Sequence, residues 1–273
     1  MEGLPSTRSI LSSALEDIKG ASKILGKIAV PIVFAHAAVG AFVIGFSLEA
    51  SGFRASGPIA MSAFDSPWIR ILQTAMQLVG LFVNIYFIDT LVRIVNRSID
   101  EDATVSDALK RTGKLFVPVA WASILASLTI TAGFILLIVP GMIFSVWYFF
   151  PLFVLVSENV WGSSALRRSH SLVRGRFWPS AVRIGMIGLV GFALMAAAAC
   201  AAIFLLTLLS VIPASLRGGL SDTALFAIGG FVFLLLSGLF SLYVTAATVR
   251  LYIILKETLP APSVDVTVVP KAE

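Results

Sequence analysis

An uncharged run of 43 residues, from Leu115 to Ser157, constrains the fold of this chain more than any other feature. As one helix it would be about 65 Å long at ~1.5 Å per residue, roughly twice the ~30 Å hydrocarbon core of a bilayer. Pro140 and Gly141 lie a little past its middle. Because proline removes a backbone donor and glycine accepts the dihedrals of a tight turn, the run predicts a helical hairpin hinged at Pro140-Gly141.

The composition extends this interpretation to the whole chain. Only 13% of residues are charged, about half the fraction usual in a soluble domain. Each further uncharged run is long enough, or nearly so, to cross a bilayer. We expect an all-α integral membrane bundle of about six transmembrane helices, with short interfacial amphipathic helices. One polytopic domain is predicted over 1–257, followed by a disordered tail over 258–273, with spans near 28–48, 71–92, 115–138, 142–157, 184–212 and 223–250.

The basic residues predict an orientation. Of the 20 lysines and arginines, 17 fall on the two termini and on alternate connections, and the remaining three are Arg54, Arg70 and Arg217. The positive-inside rule therefore places both termini in the cytoplasm, which agrees with an even number of spans. On this interpretation the basic pI of about 9.6 reflects membrane orientation, and we expect no nucleic-acid partner.

The chain offers little for enzymatic chemistry. Cys200 is the only cysteine and there are two histidines, so we expect no disulfide framework, metal centre or cofactor. Nucleophile-elbow, zinc-protease and phosphate-loop motifs are absent from the sequence. We therefore expect no enzymatic activity, and a membrane enzyme without a known motif ranks as the third alternative.

A polar stripe marks the second predicted span, where Gln73, Gln77 and Asn84 share one helical face with Gly80. Polar side chains at this depth face other helices or a water-filled path. One interpretation is a transport lumen, so a small transporter or channel is the runner-up function. The other is hydrogen bonding between helices near a close contact at Gly80, which we favour because no other span supplies a matching row.

Three basic segments each run into a predicted span through a proline, which is in turn Pro31, Pro118 and Pro179. Such amphipathic segments suit the headgroup plane, with aliphatic groups inserted and basic groups on anionic lipid. The alternative is that they only link and pack the helices. In the third segment, the basic side chains predicted to meet lipid or a partner are Arg167, Arg168, Arg174 and Arg176.

The third segment also carries a distinctive order of residues. Glu158 is followed by Ala165-Leu166, Arg168-Ser169 and Leu172, and then by Gly175 and Trp178. With the apolar run that enters Pro140-Gly141, this stretch of about 43 residues resembles a family of bacterial and archaeal multi-pass proteins. That family includes the YciC-like inner-membrane proteins and the membrane domain of some glycerophosphoryl diester phosphodiesterases.

The resemblance implies an all-helical domain of the bacterial inner membrane with a role in envelope or lipid homeostasis. A phosphodiesterase activity would belong to a separate catalytic domain and does not transfer. Glu158 is suited to cap the basic helix or to pair with Arg167 or Arg168, and Trp178 to anchor at the interface. These residues form either a structural joint or a ligand site.

The leading hypothesis is a non-enzymatic protein that organises lipid or partner proteins through its basic helices. Its expected partners are anionic headgroups on the cytoplasmic side, with a membrane-protein partner or a homo-oligomer left open.

Overall fold

The computed structural model describes residues 5–50, 67–96, 104–158, 160, 162–211 and 221–258. Within these ranges the regular structure is helical, and six stretches of helix are long and apolar enough to cross a membrane. The predicted fold class is confirmed: the chain is an all-α, multi-pass membrane protein. The described helices are α1 (Thr7–Gly20), α2 (Ser22–Ala50), α3 (Pro67–Val95), α4 (Val105–Leu136), α5 (Ile138–Trp147), α6 (Pro151–Glu158), α7 (Ser163–Val173), α8 (Phe177–Val211) and α9 (Asp222–Glu257).

Hydroxyl side chains define where several helices begin. Ser6 Oγ accepts a hydrogen bond from Ser9 N at the start of α1, and Thr104 Oγ1 accepts one from Asp107 N at the start of α4. Ser221 Oγ does the same for Ala224 N at the start of α9. The first turn of a helix has backbone donors without intrahelical partners, so these caps fix the first turns.

The amphipathic segments enter the membrane helices in different ways. Pro31 lies inside α2 and Pro118 inside α4, so the chain passes through both prolines without leaving the helix. Neighbouring helices in a membrane bundle can compensate the lost backbone bond. The first break instead lies at Ala21, between α1 and α2. Of these three prolines, only Pro179 lies near a helix start, as the third residue of α8.

The hinge of the hairpin lies earlier than predicted. A single residue, Leu137, separates α4 from α5, with φ −166° and ψ 154°. Pro140 and Gly141 already belong to the first turn of α5, where the missing N–H of proline costs little. The predicted hinge position is therefore wrong by three residues, because an extended Leu137 suffices to end α4.

Gly141 has a packing role in place of the predicted turn dihedral. Its φ is not positive, and a Cβ added there would collide with the ring of Phe134. A Cβ added at Gly133 would lie 3.0 Å from the Cα of Gly141. The two glycines thus let α4 and α5 approach at backbone distance. Nearer the start of α4, Trp121 lies against Gly162, which follows α6. The chain after Leu137 therefore returns along α4 as a hairpin.

The described helices divide between two compact units. Unit 1 comprises Met1–Ile28, Asn84–Val190 and Tyr243–Glu273, and unit 2 comprises Ala29–Val83 and Gly191–Leu242. Unit 1 contains the hairpin, α1 and α7, and its fully buried side chains include Tyr86, Phe87, Phe150, Leu172 and Tyr252.

Unit 2 is held by close contacts of α9. A Cβ added at Gly238 would lie 2.7 Å from Val33 Cγ1, and one at Gly229 would lie 2.6 Å from Leu206 Cγ. Phe34 and Phe231 meet edge to face with centroids 5.4 Å apart. Small residues let membrane helices approach closely, and here α9 approaches both α2 and α8.

Three glycines on α8 and α3 have open surroundings among the described residues. A Cβ added at Gly185, Gly188 or Gly80 would meet no described atom within 4 Å. The close contact predicted at Gly80 is therefore not formed within the described part of the chain. Apolar side chains on the same helices, such as Leu189 and Phe192, are exposed, as expected where lipid covers the surface.

Candidate functional site

The hairpin and the basic helix α7 meet at an interruption of the second hairpin helix. Between α5 and α6 the chain leaves the helix for Tyr148 to Phe150. Ser169 of α7 is fully buried; its Oγ donates to Trp147 O (2.7 Å) and accepts from Phe150 N (3.1 Å). One hydroxyl thus satisfies two backbone groups that the interruption frees, since buried backbone groups need partners.

The order of residues from Ala165 to Gly175 follows from the face that α7 buries. Ala165, Leu166, Ser169, Leu172 and Val173 are its buried residues. They recur at the three- and four-residue spacing of one helical face. Gly175 then takes φ +82°, a left-handed conformation that glycine adopts without steric cost, and redirects the chain into α8.

Glu158 is the centre of an ionic cluster at the end of α6. Its Oε2 accepts from Arg168 Nε at 3.1 Å. Its Oε1 accepts from the Tyr252 hydroxyl at 3.0 Å and lies 3.4 Å from Lys256 Nζ. Tyr252 also hydrogen-bonds Ser157 Oγ. The side chains of Glu158 and Arg168 are only 15% and 12% exposed, so the pair is shielded and joins α6, α7 and α9.

The chemical consequence is that both Glu158 oxygens already have partners from the protein. A carboxylate held by an arginine, a lysine and a tyrosine stabilises a joint between helices. Of the two partners predicted from the sequence, Arg168 is the one that the structure pairs with Glu158, whereas Arg167 Nη2 donates to Ser164 Oγ at 3.4 Å.

The four predicted arginines therefore separate into two groups. Arg168 points into the ionic cluster, and Arg176 donates to the hydroxyl and carbonyl oxygens of Thr258. Arg167 and Arg174 are exposed. Within the described part of the chain, the Arg174 guanidinium has neither a hydrogen bond nor an ion pair.

Arg174 lines an open groove of about 640 Å³ between α5, α7 and the start of α8. Its lining residues are Ile143, Trp147, His170, Arg174, Gly175, Phe177 and Trp178. The rings of Trp147 and His170 meet edge to face with centroids 4.5 Å apart. Trp178, the predicted interfacial anchor, is 75% exposed. The groove thus combines an aromatic wall with one imidazole and one guanidinium.

The number of histidines in the sequence does not single out His170 as a site residue. It lies four residues before Arg174, and residues four apart share a helical face. That spacing was the available signal. In the described ranges no group of three or more His, Cys, Asp or Glu is placed to hold a metal ion.

Unit 1 contains two further ion pairs. Arg250 of α9 binds both carboxylate oxygens of Asp17 and so fixes α1. Asp89 of α3 is 2% exposed and lies 3.5 Å from Arg111 of α4. Burial thus keeps Asp89 from water, with Arg111 and Arg93 as the cations near its carboxylate.

The polar stripe of α3 differs in burial from one described residue to the next. Gln77 is exposed and Asn84 is half-buried, and the side chain of Gln73 lies outside the described residues.

Comparisons with family models, with curated proteins and with solved structures found no match to this chain.

Proposed function

We propose that this chain is a non-enzymatic, multi-pass protein of the bacterial inner membrane that gathers anionic lipid at the exposed basic face of α7. In the predicted topology this face is cytoplasmic, as are both termini. Anionic headgroups give that side of a membrane a negative surface potential, which attracts basic side chains by on the order of 1 kcal/mol each.

The observation that carries this proposal is the division of charges on α7. Arg168 is paired with Glu158, whereas Arg167 on α7 and Arg174, the residue directly after its end, remain exposed; the opposite face of α7 is buried. A helix anchored on one side and cationic on the other is suited to an interfacial position. Glu158 and Ser169 are both engaged in holding α7 against the hairpin, so neither is available as a free base or nucleophile.

The test compares lipids retained in native membrane particles. Replacing Arg167 and Arg174 by Gln should reduce the ratio of anionic to zwitterionic lipid that co-purifies, because two exposed charges are lost while the ionic cluster stays intact. Quantitative lipid mass spectrometry measures that ratio directly.

The matched control is Lys110→Gln with Lys114→Gln. Both lysines are exposed on α4, on the same predicted side, so the control removes equal charge and an equal orientation signal. Correct topology is confirmed for both variants first. Equal retention of anionic lipid by the α7 variant and the unmodified protein would refute the proposal.

A further inference from the structure

We propose that the groove lined by His170 and Arg174 binds the phosphate headgroup of one anionic glycerophospholipid. The inference rests on the proposed function and deepens it, because it replaces diffuse attraction at α7 by one defined site. Arg174 and His170 would hold the phosphate, and the aromatic wall would hold the glycerol and the first carbons of the acyl chains.

Charge complementarity is the first argument. None of the seven lining residues is acidic, and within the described ranges Arg174 has no carboxylate partner. An arginine without a counter-ion in a concave, partly apolar site attracts an anion more strongly than one on an open surface. The guanidinium also offers paired donors that match phosphate oxygens. His170, one turn earlier, adds a ring nitrogen on the same side of α7.

The aromatic wall favours an amphiphile over free phosphate. Trp147, Phe177 and Trp178 contribute large rings to a groove whose other polar side chains are one imidazole, His170, and one guanidinium, Arg174. Indole rings prefer the boundary between headgroups and acyl chains. The volume of about 640 Å³ lies within the range of small-molecule sites and exceeds the need of a bare phosphate ion.

The groove also continues into apolar surface along both membrane helices. Val139, one turn before Ile143 on α5, is 65% exposed, and Val182, one turn after Trp178 on α8, is 56% exposed. Both residues belong to candidate membrane spans. Acyl chains leaving the groove would therefore run along these apolar, lipid-facing surfaces. An acidic peptide has no acyl chains and would leave them unused.

The experiment titrates delipidated protein in detergent with phosphatidylglycerol or phosphatidylcholine and counts bound molecules by native mass spectrometry. The unmodified protein should bind one phosphatidylglycerol per chain in preference to phosphatidylcholine. Arg174→Gln should weaken that binding about tenfold, the effect of losing one charge-assisted hydrogen bond. Trp178→Ala should weaken the binding of both lipids without changing the preference between them.

Arg167→Gln is the matched control, since it removes the same charge from α7 at a position outside the groove. Equal weakening by Arg167→Gln and Arg174→Gln would overturn the groove while leaving the proposed function in place. Displacement of the lipid by millimolar inorganic phosphate would also overturn it, in favour of a free-phosphate site. The protein could instead prefer phosphatidylglycerol in detergent and yet show no enrichment of anionic lipid in native membrane particles. That result would refute the proposed function and leave the groove as a phospholipid site.

Discussion

Arg168 Nε lies 3.1 Å from Glu158 Oε2, and this ion pair joins the basic helix α7 to the end of the hairpin. Both side chains are largely shielded from water, so screening weakens the pair less than it would an exposed one. Arg168 is therefore a structural residue, although the sequence places it beside arginines that are free to meet lipid.

Arg168→Gln should accordingly destabilise the protein by about 1–3 kcal/mol, because it leaves a shielded carboxylate with a weaker set of partners. Arg167→Gln should have little effect, since exposed charges contribute little to folding. Thermal unfolding in detergent measures both variants. Equal melting temperatures for the two would mean that the Glu158 cluster does not support the joint.

Ser169→Ala should destabilise the protein by about 1–3 kcal/mol, since it leaves Phe150 N and Trp147 O without their buried partner. The control is Ser171→Ala, because Ser171 Oγ only donates to Arg168 O within the same helix. Hydrogen exchange at the α5–α6 interruption gives a local readout. Unchanged protection there in Ser169→Ala would show that other groups close the interruption.

Gly141→Val should destabilise the hairpin by about 1–3 kcal/mol through overpacking, because its side chain would collide with the Phe134 ring. The reason differs from the turn dihedral that the sequence suggested. Gly185→Val is the control, at a helical glycine whose surroundings are open among the described residues. If both substitutions have the same effect on unfolding, the contact between α4 and α5 is not tight.

The spans and the hairpin were predictable because they follow from long uncharged runs. Lipid excludes charged side chains and unpaired backbone groups over a fixed thickness, so composition alone locates the crossings. The hinge was predictable only to within three residues. Leu137 has no sequence signal of a turn, since any residue can adopt its extended conformation.

The site was less predictable because its contacts join distant parts of the chain. Tyr252 lies 94 residues from Glu158, and helical periodicity predicts neighbours on one helix only. Periodicity could have associated His170 with Arg174. It had no means of showing that Arg168 turns inward while Arg174 stays without a partner.

The predicted topology has a direct test that is independent of lipid binding. Single cysteines at Ser56, Ser98 and Arg217, in a Cys200→Ser background, report the side of three connections that lie outside the described residues. With both termini in the cytoplasm, an impermeant thiol reagent should label positions 56 and 217 from outside the cell and leave 98 unlabelled. The reverse pattern would contradict the orientation drawn from the 17 basic residues.

The pair between Asp89 and Arg111 gives a final prediction, which concerns how α4 is held against α3. The Asp89 side chain is 4% exposed and that of Arg111 is 52% exposed, so removing the arginine leaves a buried carboxylate with less compensation. Arg111→Gln should destabilise the protein by about 1–2 kcal/mol, a value reduced because Arg111 is half in solvent. Lys110→Gln, next along α4, should be nearly neutral. Adding Asp89→Asn to Arg111→Gln should recover part of the loss, because the amide is less costly to bury than an unpaired charge. Additive losses in this double-mutant cycle would show that the two side chains do not interact.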